Sequence, residues 1–460
     1  MSIFKACDVR GEVGRELTPA IAERLGRAIG SALEGGPVVV GGDVRLSTEA
    51  LRGALVDGLT SSGCRVVDVG VVPTPAFYFA RDYLRIQGGV MVTGSHNPPG
   101  DNGFKICLSS MPITEEELAD LERRMAAGGF RRGAGSTERR EVIAAYQAQV
   151  ERGFASRDGL KVVVDAGNGC YGPIAPASLR RLGYEVVELF CEPDGRFPNR
   201  PPNPAVAANL SALRETVLRA GAHLGAAFDG DGDRVVFVDE RGRVVTSDVA
   251  IVLFVRHLLR ERPGDVVYDA KCSSVVAEEV RQAGGVPVME KSGHAFIKAT
   301  LLRRRAVLGG EISGHYFFGT LGRDDGLYAL LLMLRIVSEA GRGLAALADS
   351  VPHYPITPDI RLPCKAQEAR AIIDELTQAF AGEPDCEVST LDGVRIAWAD
   401  GWALARTSVT EPLLTLRFEG HTQARLNEVM ALVAGRSARL AALLARFPQQ
   451  LPVSEGEGEE

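Results

Sequence analysis

Two short stretches of this chain combine reactive side chains with residues that bend the backbone around them. Thr93-Gly-Ser-His-Asn-Pro-Pro-Gly100, continued by Asp101-Asn-Gly-Phe-Lys105, follows an apolar strand-like run, Gly89-Val-Met-Val92. Gly, Asn and two Pro force a turn there, and in open parallel sheets ligands bind at the C-terminal ends of strands. Ser95 would be presented outward, with His96 and Lys105 placed to move its proton. In the second stretch, Asp229-Gly-Asp-Gly-Asp-Arg234, three carboxylates alternate with glycines. Alternation at a strand end points the three the same way, and glycines let the backbone approach an ion. Three like charges this close repel unless a cation neutralises them, and hard oxygens suit Mg²⁺ or Ca²⁺. A helix-flanked calcium loop does not fit. Asp229, Asp231, Asp233 and Glu240 fall on its first, third, fifth and twelfth positions, but Arg234 stands where its sixth must be Gly, and Val235-Val-Phe-Val238 reads as a strand.

Two further stretches offer ligand contacts. In Gly309-Gly-Glu-Ile-Ser-Gly-His315, the glycines bring backbone close to a ligand, while Glu311, Ser313 and His315 supply acceptors and donors suited to sugar hydroxyls. Nearby, Lys271 and Ser292-Gly-His294 each follow a strand-like run. Arg406-Thr-Ser-Val-Thr-Glu-Pro412 sets one Arg among three hydroxyls, a cradle for phosphate through charge-assisted hydrogen bonds. Each alone reads equally well as a polar turn; only the combination carries weight. Lys is scarce among the 52 basic residues, so Lys105 and Lys271 stand out, a compact ammonium being suited to proton transfer and phosphate contact.

Something must carry these loops. Pro37-Val-Val-Val-Gly-Gly-Asp43, Lys161-Val-Val-Val-Asp165 and Asp265-Val-Val-Tyr-Asp269 are apolar runs ending in Asp. Each is followed by a helix-like segment, a glycine and a second short strand: Gly63-Cys-Arg-Val-Val, Gly183-Tyr-Glu-Val-Val and Gly285-Val-Pro-Val. Strand, helix, glycine, strand is the βαβ pattern of a parallel sheet, and three copies suggest three related domains. Residues 128–136, rich in Gly and Arg, read as a linker with a helix starting near Glu138. Further boundaries fall near Arg241-Gly-Arg, before an apolar helix from Val249, and in the proline-marked segment 352–363. Beyond it come a helix over 366–380, short strands and a helix over 423–446. The expected fold class is α/β, with four domains around a central cleft: three related α/β units with mixed sheets and a smaller α+β unit. Their expected bounds are 1–137 with the serine loop, 138–243 with the acidic loop, 244–354 with the sugar-type loop and 355–450 with the phosphate cradle. The acidic end, 451–460, is expected to be disordered.

The net charge of -7, without a long basic run, argues against a nucleic-acid partner, although local Arg and Lys clusters can still hold an anion. No apolar run reaches the roughly 20 residues of a membrane span, and the run over 327–337 carries Arg335. The N-terminal MSIFKACDVRG lacks the apolar stretch of a signal peptide, and the eight scattered cysteines make no Cys-x-x-Cys pair. A reducing cytoplasm is the expected location.

Over nearly its whole length, from Phe4-Lys-Ala-Cys-Asp-Val-Arg-Gly11 to the loop at 406–412, the chain resembles the α-D-phosphohexomutases, in particular the bacterial phosphomannomutase/phosphoglucomutase group. The Thr-Gly-Ser-His-Asn-Pro-Pro and Asp-Gly-Asp-Gly-Asp-Arg motifs stand in that family's order. The resemblance implies that Ser95 is a phosphoserine whose phosphate, with Asp229, Asp231 and Asp233, ligates Mg²⁺. It implies that Arg10, His96, Lys105 and Arg234 assist proton movement and neutralise charge, with His315 a further acid/base. Lys271 and His294 would line the substrate site, Glu311, Ser313 and Gly314 would hold the sugar, and Arg406, Ser408 and Thr410 would grip the phosphate that does not react. The implied reaction interconverts hexose 6-phosphates and hexose 1-phosphates through a hexose 1,6-bisphosphate, which also serves as activator. Mannose phosphates are the first choice and glucose phosphates the next. A phosphoglucosamine mutase or a metal-dependent phosphatase using the same serine is the alternative; either a monomer or a homodimer is expected. The chain departs from the family where Cys7 replaces a frequent Tyr and Val409 a usual Asn. The second change removes one hydrogen bond to phosphate, about 0.5–1.5 kcal/mol. Ile312 stands where the glucosamine group commonly has Gln.

Overall fold

The computed structural model describes residues 3–155, 159–407 and 413–447. Ser408, Val409, Thr410 and the acidic end at 451–460 lie outside the described residues. The chain forms two compact units. One comprises Met1–Tyr268, Glu279–Val288 and Gly293–Val351; the other comprises Asp269–Glu278, Met289–Ser292 and Pro352–Glu460.

Three mixed sheets share one plan. In the first, the order is Val9–Glu12, Asp101–Cys107, Gly88–Val92, Val38–Gly42, Arg65–Val71, Ser136–Arg139. The second runs Val244–Val245, Val235–Asp239, Leu224–Phe228, Lys161–Asp165, Glu185–Leu189. The third runs Arg323–Asp324, Tyr316–Phe318, Leu308–Gly310, Asp265–Asp269, Val286–Glu290. Each contains a strand–helix–strand unit, with helices Thr48–Ser61, Ala175–Arg181 and Ser274–Gln282. In each, the first strand of that unit pairs in parallel with a later strand: Gly88–Val92, Leu224–Phe228 or Leu308–Gly310. That later strand then pairs antiparallel with its successor in the chain. The connections made at this one point are Thr93–Gly100, Asp229–Arg234 and Glu311–His315, so three of the four stretches singled out in the sequence occupy the same place in three copies of one topology.

The central strands are buried along nearly their whole length because both faces are covered, which is why they read as apolar runs rather than alternating ones. Under the first sheet, Leu25, Ile29, Leu55 and Leu59 from two packed helices meet Val38, Val40, Val66 and Val90. Close approach of those helices needs Gly26 and Gly58: a Cβ on either would strike backbone of the facing helix, at Leu55 and Glu23 respectively.

The last sheet, Ile360–Pro363, Leu413–Gly420, Gly401–Thr407, Val394–Trp398, Glu387–Ser389, is antiparallel throughout. Helices Ala366–Phe380, Gln423–Gly435 and Ala438–Arg446 supply Ile372, Leu376, Val429 and Leu440 to its core. Among the described residues no helix is long and apolar enough to cross a membrane.

Two local expectations change. The segment read as a linker leading to a helix near Glu138 ends in a strand, Ser136–Arg139, that pairs in parallel with Arg65–Val71; the helix begins at Ile143. Its side chains are mostly exposed, so it carries no apolar signal, and a boundary at 137 falls inside it. The helix expected over 423–446 is two, because Ser437 Oγ accepts from Leu440 N at 3.1 Å and caps a new start.

Candidate active site

Ser95 sits just past Gly88–Val92 in left-handed backbone, φ 47°, a conformation costing a non-glycine residue roughly 1–2 kcal/mol. Its neighbours hold it there. Ser95 N donates to Thr93 Oγ1 at 2.8 Å, and Asp43 Oδ2 accepts from Thr93 Oγ1 at 2.9 Å and Gly94 N at 3.0 Å. Arg45, pinned by Asp43, donates to the carbonyls of Ser95 at 2.9 Å and Asp101 at 2.8 Å. Gly94 admits that guanidinium: a Cβ there would collide with it. Arg10 reaches the same loop through the carbonyl of Thr93 while pairing with Asp8 at 2.7 Å.

The Ser95 hydroxyl points at the aspartates. Ser95 Oγ donates to Asp229 Oδ2 at 2.8 Å and lies 3.3 Å from His96 Nδ1. Asp229, Asp231 and Asp233 each offer a carboxylate oxygen within 4.8 Å of the others, and all are buried. They converge because the motif is a turn between antiparallel strands, not because side chains alternate along a strand end as the spacing suggested. Asp229 Oδ1 accepts from Gly232 N at 2.9 Å, which folds the turn onto itself. Strands on both sides leave no room for a helix-flanked calcium loop.

The charges are uneven. Lys105 Nζ lies 3.1 Å from Asp231 Oδ2 and pairs with Asp233, so one ammonium faces two of the three carboxylates. Burial, then Asp233 and Asp231, push the Asp229 carboxyl well above its ordinary range. Burial pushes Asp231 the same way, but Lys105, a hydrogen bond from Thr74 and Arg10 hold it well below that range. Burial disfavours the Lys105 ammonium, yet Asp231 and Asp233 raise it well above its usual value. Asp231 Oδ1 and Asp233 Oδ1 are buried without a hydrogen-bond partner. Two orphaned anionic oxygens beside a third carboxylate and a hydroxyl fit a hard divalent cation.

The third copy of the loop closes on this cluster. Arg234 and His315 pair across an isolated bridge, and Val235 N donates to Gly314 O at 3.0 Å. Arg234 Nε donates to His315 Nε2 at 3.0 Å, so the ring's proton is on Nδ1, which faces Asp324 Oδ2 at 3.0 Å. His294 lies 5.9 Å from His315 between ring centroids. Its Nε2, Glu311 Oε2 and Ser313 Oγ are buried without hydrogen-bond partners, a set of donors and acceptors for hydroxyls. Burial, Arg234 and Arg10 hold His96 well below its ordinary value, so it meets Ser95 neutral. Burial and Asp8 push the Cys7 thiol up to about 12.

Arg10, Ser95, His96, Lys105, the three aspartates, Arg234, His294, Glu311, Ser313, Gly314 and His315 thus belong to the first unit. Lys271 and Arg406 belong to the second. There Lys271 Nζ pairs with Asp359 at 2.9 Å, Arg417 lies 3.5 Å from the same carboxylate, and Arg406 pairs with Asp392 at 2.9 Å. Sequence reading missed Asp43, Arg45, Thr74 and Asp324. Thr74 Oγ1 donates to Asp231 Oδ2 at 2.6 Å from a Pro-Thr-Pro turn that resembles any helix start. The doubled acid Asp324-Asp325 before an apolar helix was the visible signal for Asp324.

Domain models of the phosphoglucomutase/phosphomannomutase family match in order: alpha/beta/alpha domain I over residues 1–132, domain II over 142–242, domain III over 246–354 and the C-terminal domain over 360–436. The chain belongs to this family. It is therefore an isomerase that transfers phosphoryl groups. A phosphomannomutase/phosphoglucomutase of Pseudomonas aeruginosa is 41% identical over 93% of this chain and 94% of its own. A phosphoglucomutase of Neisseria gonorrhoeae is 38% identical over 93% and 95%. The crystal structure of a phosphoglucomutase/phosphomannomutase family protein from Burkholderia thailandensis superposes with a TM-score of 0.87 at 39% identity, covering 98% of both chains.

Proposed function

We propose that the chain interconverts hexose 6-phosphates and hexose 1-phosphates by way of a phosphorylated Ser95, with mannose phosphates first and glucose phosphates next as substrates. The observation that carries this reading is the hydrogen bond from Ser95 Oγ to Asp229 at the rim of the buried three-aspartate cluster. A hydroxyl set beside a cation trap and a locked ammonium suits an oxygen that receives and gives up phosphate.

In the first transfer the bond between phosphorus and Ser95 Oγ breaks and a bond from phosphorus to the free sugar hydroxyl forms. The hydroxyl proton goes to His315 Nε2 as the hydrogen bond from Arg234 Nε gives way to the sugar hydroxyl, while Asp324 holds the proton of the opposite ring nitrogen. The resulting hexose 1,6-bisphosphate turns over in the site, and its other phosphate returns to Ser95. His96, neutral and 3.3 Å from Ser95 Oγ, handles the proton of the unphosphorylated serine. Arg10, Lys105 and Arg234 keep positive charge around the transferring group. Asp229, Asp231, Asp233 and an oxygen on Ser95 would hold Mg²⁺, which supplies charge stabilisation to phosphoryl transfer. Glu311, Ser313, Gly314 and His294 would meet the sugar. Lys271 would line the substrate site, and Arg406, Ser408 and Thr410 would hold the remote phosphate, whose binding energy aligns the reacting end. The same reading places the enzyme, as monomer or homodimer, in a reducing cytoplasm, in keeping with scattered cysteines that make no Cys-x-x-Cys pair.

The test is to incubate the purified protein with mannose 1-phosphate, Mg²⁺ and a trace of hexose bisphosphate. Mannose 6-phosphate is the expected product, and free phosphate in its place would establish a phosphatase. Ser95→Ala should lose turnover and stay folded; full activity in that variant would rule out the covalent route.

A further inference from the structure

A second buried cluster lies against the metal loop, and the reaction described above does not use it. Asp325 is wholly buried, as are Tyr146 and Tyr171. Tyr146 Oη donates to Asp325 at 2.9 Å from Oδ1 and 3.0 Å from Oδ2; Tyr171 Oη donates to Oδ1 at 3.1 Å, and the two phenols are 2.6 Å apart. The nearest cation, Arg323, is 3.8 Å away and also donates to Gln149 at 2.6 Å. Three parts of the first unit meet here: the helix Ile143–Val150, the loop after Lys161–Asp165 and the start of the helix Gly326–Ala340.

The cluster reaches the aspartates through Gly232, the residue between Asp231 and Asp233. Gly232 has φ 78° and no side chain with which to anchor itself. The Tyr171 ring occupies the space a Cβ would fill: such an atom would collide with ring Cδ2 and Cε2. Gly326 lies so close that its own Cβ would come within 2.8 Å of the Gly232 carbonyl oxygen. Next to Tyr171, Cys170 N donates to Gly230 O at 3.1 Å. Gly232 is thus met by the Tyr171 ring at its Cα and by Gly326, the neighbour of Asp325, at its carbonyl oxygen.

We propose that Asp325, Tyr146 and Tyr171 are positioning residues that clamp Gly232 and thereby hold Asp231 and Asp233 in cation-binding geometry. The inference rests on the reading of the three aspartates as the cation site. It assigns the clamp an effect on cation affinity beyond its contribution to stability, since a turn free to rock about Gly232 would spread two of the three ligands.

The experiment titrates the purified full-length protein with Mn²⁺, followed by electron paramagnetic resonance. The proteins are wild type, Asp231→Asn, Tyr171→Phe, Asp325→Asn and Tyr146→Phe; urea stability and the KM for hexose phosphate are measured on each. Phe keeps the ring on Gly232 and deletes only the hydroxyl, and the amide oxygen introduced by Asp325→Asn keeps an acceptor for Tyr328 N, which the carboxylate accepts from at 3.1 Å. Tyr171→Phe and Asp325→Asn should weaken Mn²⁺ binding roughly three- to tenfold, about 0.7–1.4 kcal/mol at 1.4 kcal/mol per tenfold, while KM for the sugar stays near that of wild type. Unchanged Mn²⁺ affinity in those variants, with only stability reduced, would show a structural junction and overturn the clamp. Should either fail to fold, Tyr146→Phe, which leaves the Tyr171–Asp325 bond in place, decides by the same criterion. A wild type that binds no Mn²⁺, or an Asp231→Asn protein that binds it as well as wild type, would remove the cation site itself and the clamp with it.

Discussion

His294 gives a measurable pH signature. Its imidazole opens the helix His294–Arg304; burial first, then Lys105 and His315, push it from 6.5 down to about 3, with Asp8 and Asp324 opposing. The folded value lies below the unfolded one, so as pH falls the unfolded chain takes up the proton first. The contribution of this group to stability is therefore intact above 6.5 and is lost progressively on the way down to about 3. At pH 5 the unfolded imidazole is already about 1.5 units below its midpoint while the folded one is still neutral, which at 1.36 kcal/mol per unit amounts to about 2 kcal/mol. Urea unfolding of wild type and His294→Gln at pH 7.5 and pH 5, analysed with a common slope, isolates the effect, because Lys105, His315, Asp8 and Asp324 are present in both proteins. The stability of wild type relative to the variant should fall by about 2 kcal/mol between the two conditions. A difference that stays constant from pH 7.5 to pH 5 would refute the assignment of a buried neutral imidazole. It would also undo the functional reading of His294, which offers a sugar hydroxyl an uncharged donor and acceptor rather than a cation.

Asp324→Asn replaces the carboxylate 3.0 Å from His315 Nδ1 with an amide; kcat should fall roughly 10²-fold or more, the usual scale of acid–base assistance, with little change in KM, and a kcat near wild type would show that His315 moves no proton. Ser95→Gly relieves the left-handed strain at φ 47° that Ser95→Ala retains; in urea the glycine variant should be more stable than the alanine variant by about 1 kcal/mol, both being inactive.

What the sequence revealed and what it hid have the same physical origin. The serine and aspartate loops were legible because each packs its chemistry and its turn residues into a few consecutive positions. Asp324 was not, because its role comes from facing His315 across a hairpin. Thr74 was hidden for the same reason: its partner Asp231 is far along the chain, and the turn around Thr74 carries no charge. Asp43 ended a run that was read as a strand, yet nothing in that run shows that its carboxylate gathers Thr93, Gly94, Thr48 and Arg45 beneath the serine loop. The strands of the three related sheets announced themselves as Val-rich runs. Ser136–Arg139 did not, because a polar edge strand is specified by its neighbour's free backbone groups rather than by its own side chains.

The three copies of one topology also explain why the site is divided as it is. Each sheet brings one connection to the same structural position, but no single connection is electrically self-sufficient. The serine loop presents a hydroxyl and lends Lys105; the acidic loop carries three carboxylates and Arg234; the third supplies His315 and, with the following strand, Asp324. Their charges and polar atoms find partners across the seams: Lys105 pairs with Asp231 and Asp233, Thr74 donates to Asp231, Arg234 to His315 and Ser95 to Asp229. Desolvating such groups without partners would cost several kcal/mol each, so the pairs that prepare the chemistry are also what makes it favourable for the three sheets to meet. A substitution that empties one of these pairs should therefore loosen the seam and slow transfer together, whereas the clamp at Gly232 acts within the acidic loop and should weaken cation binding first.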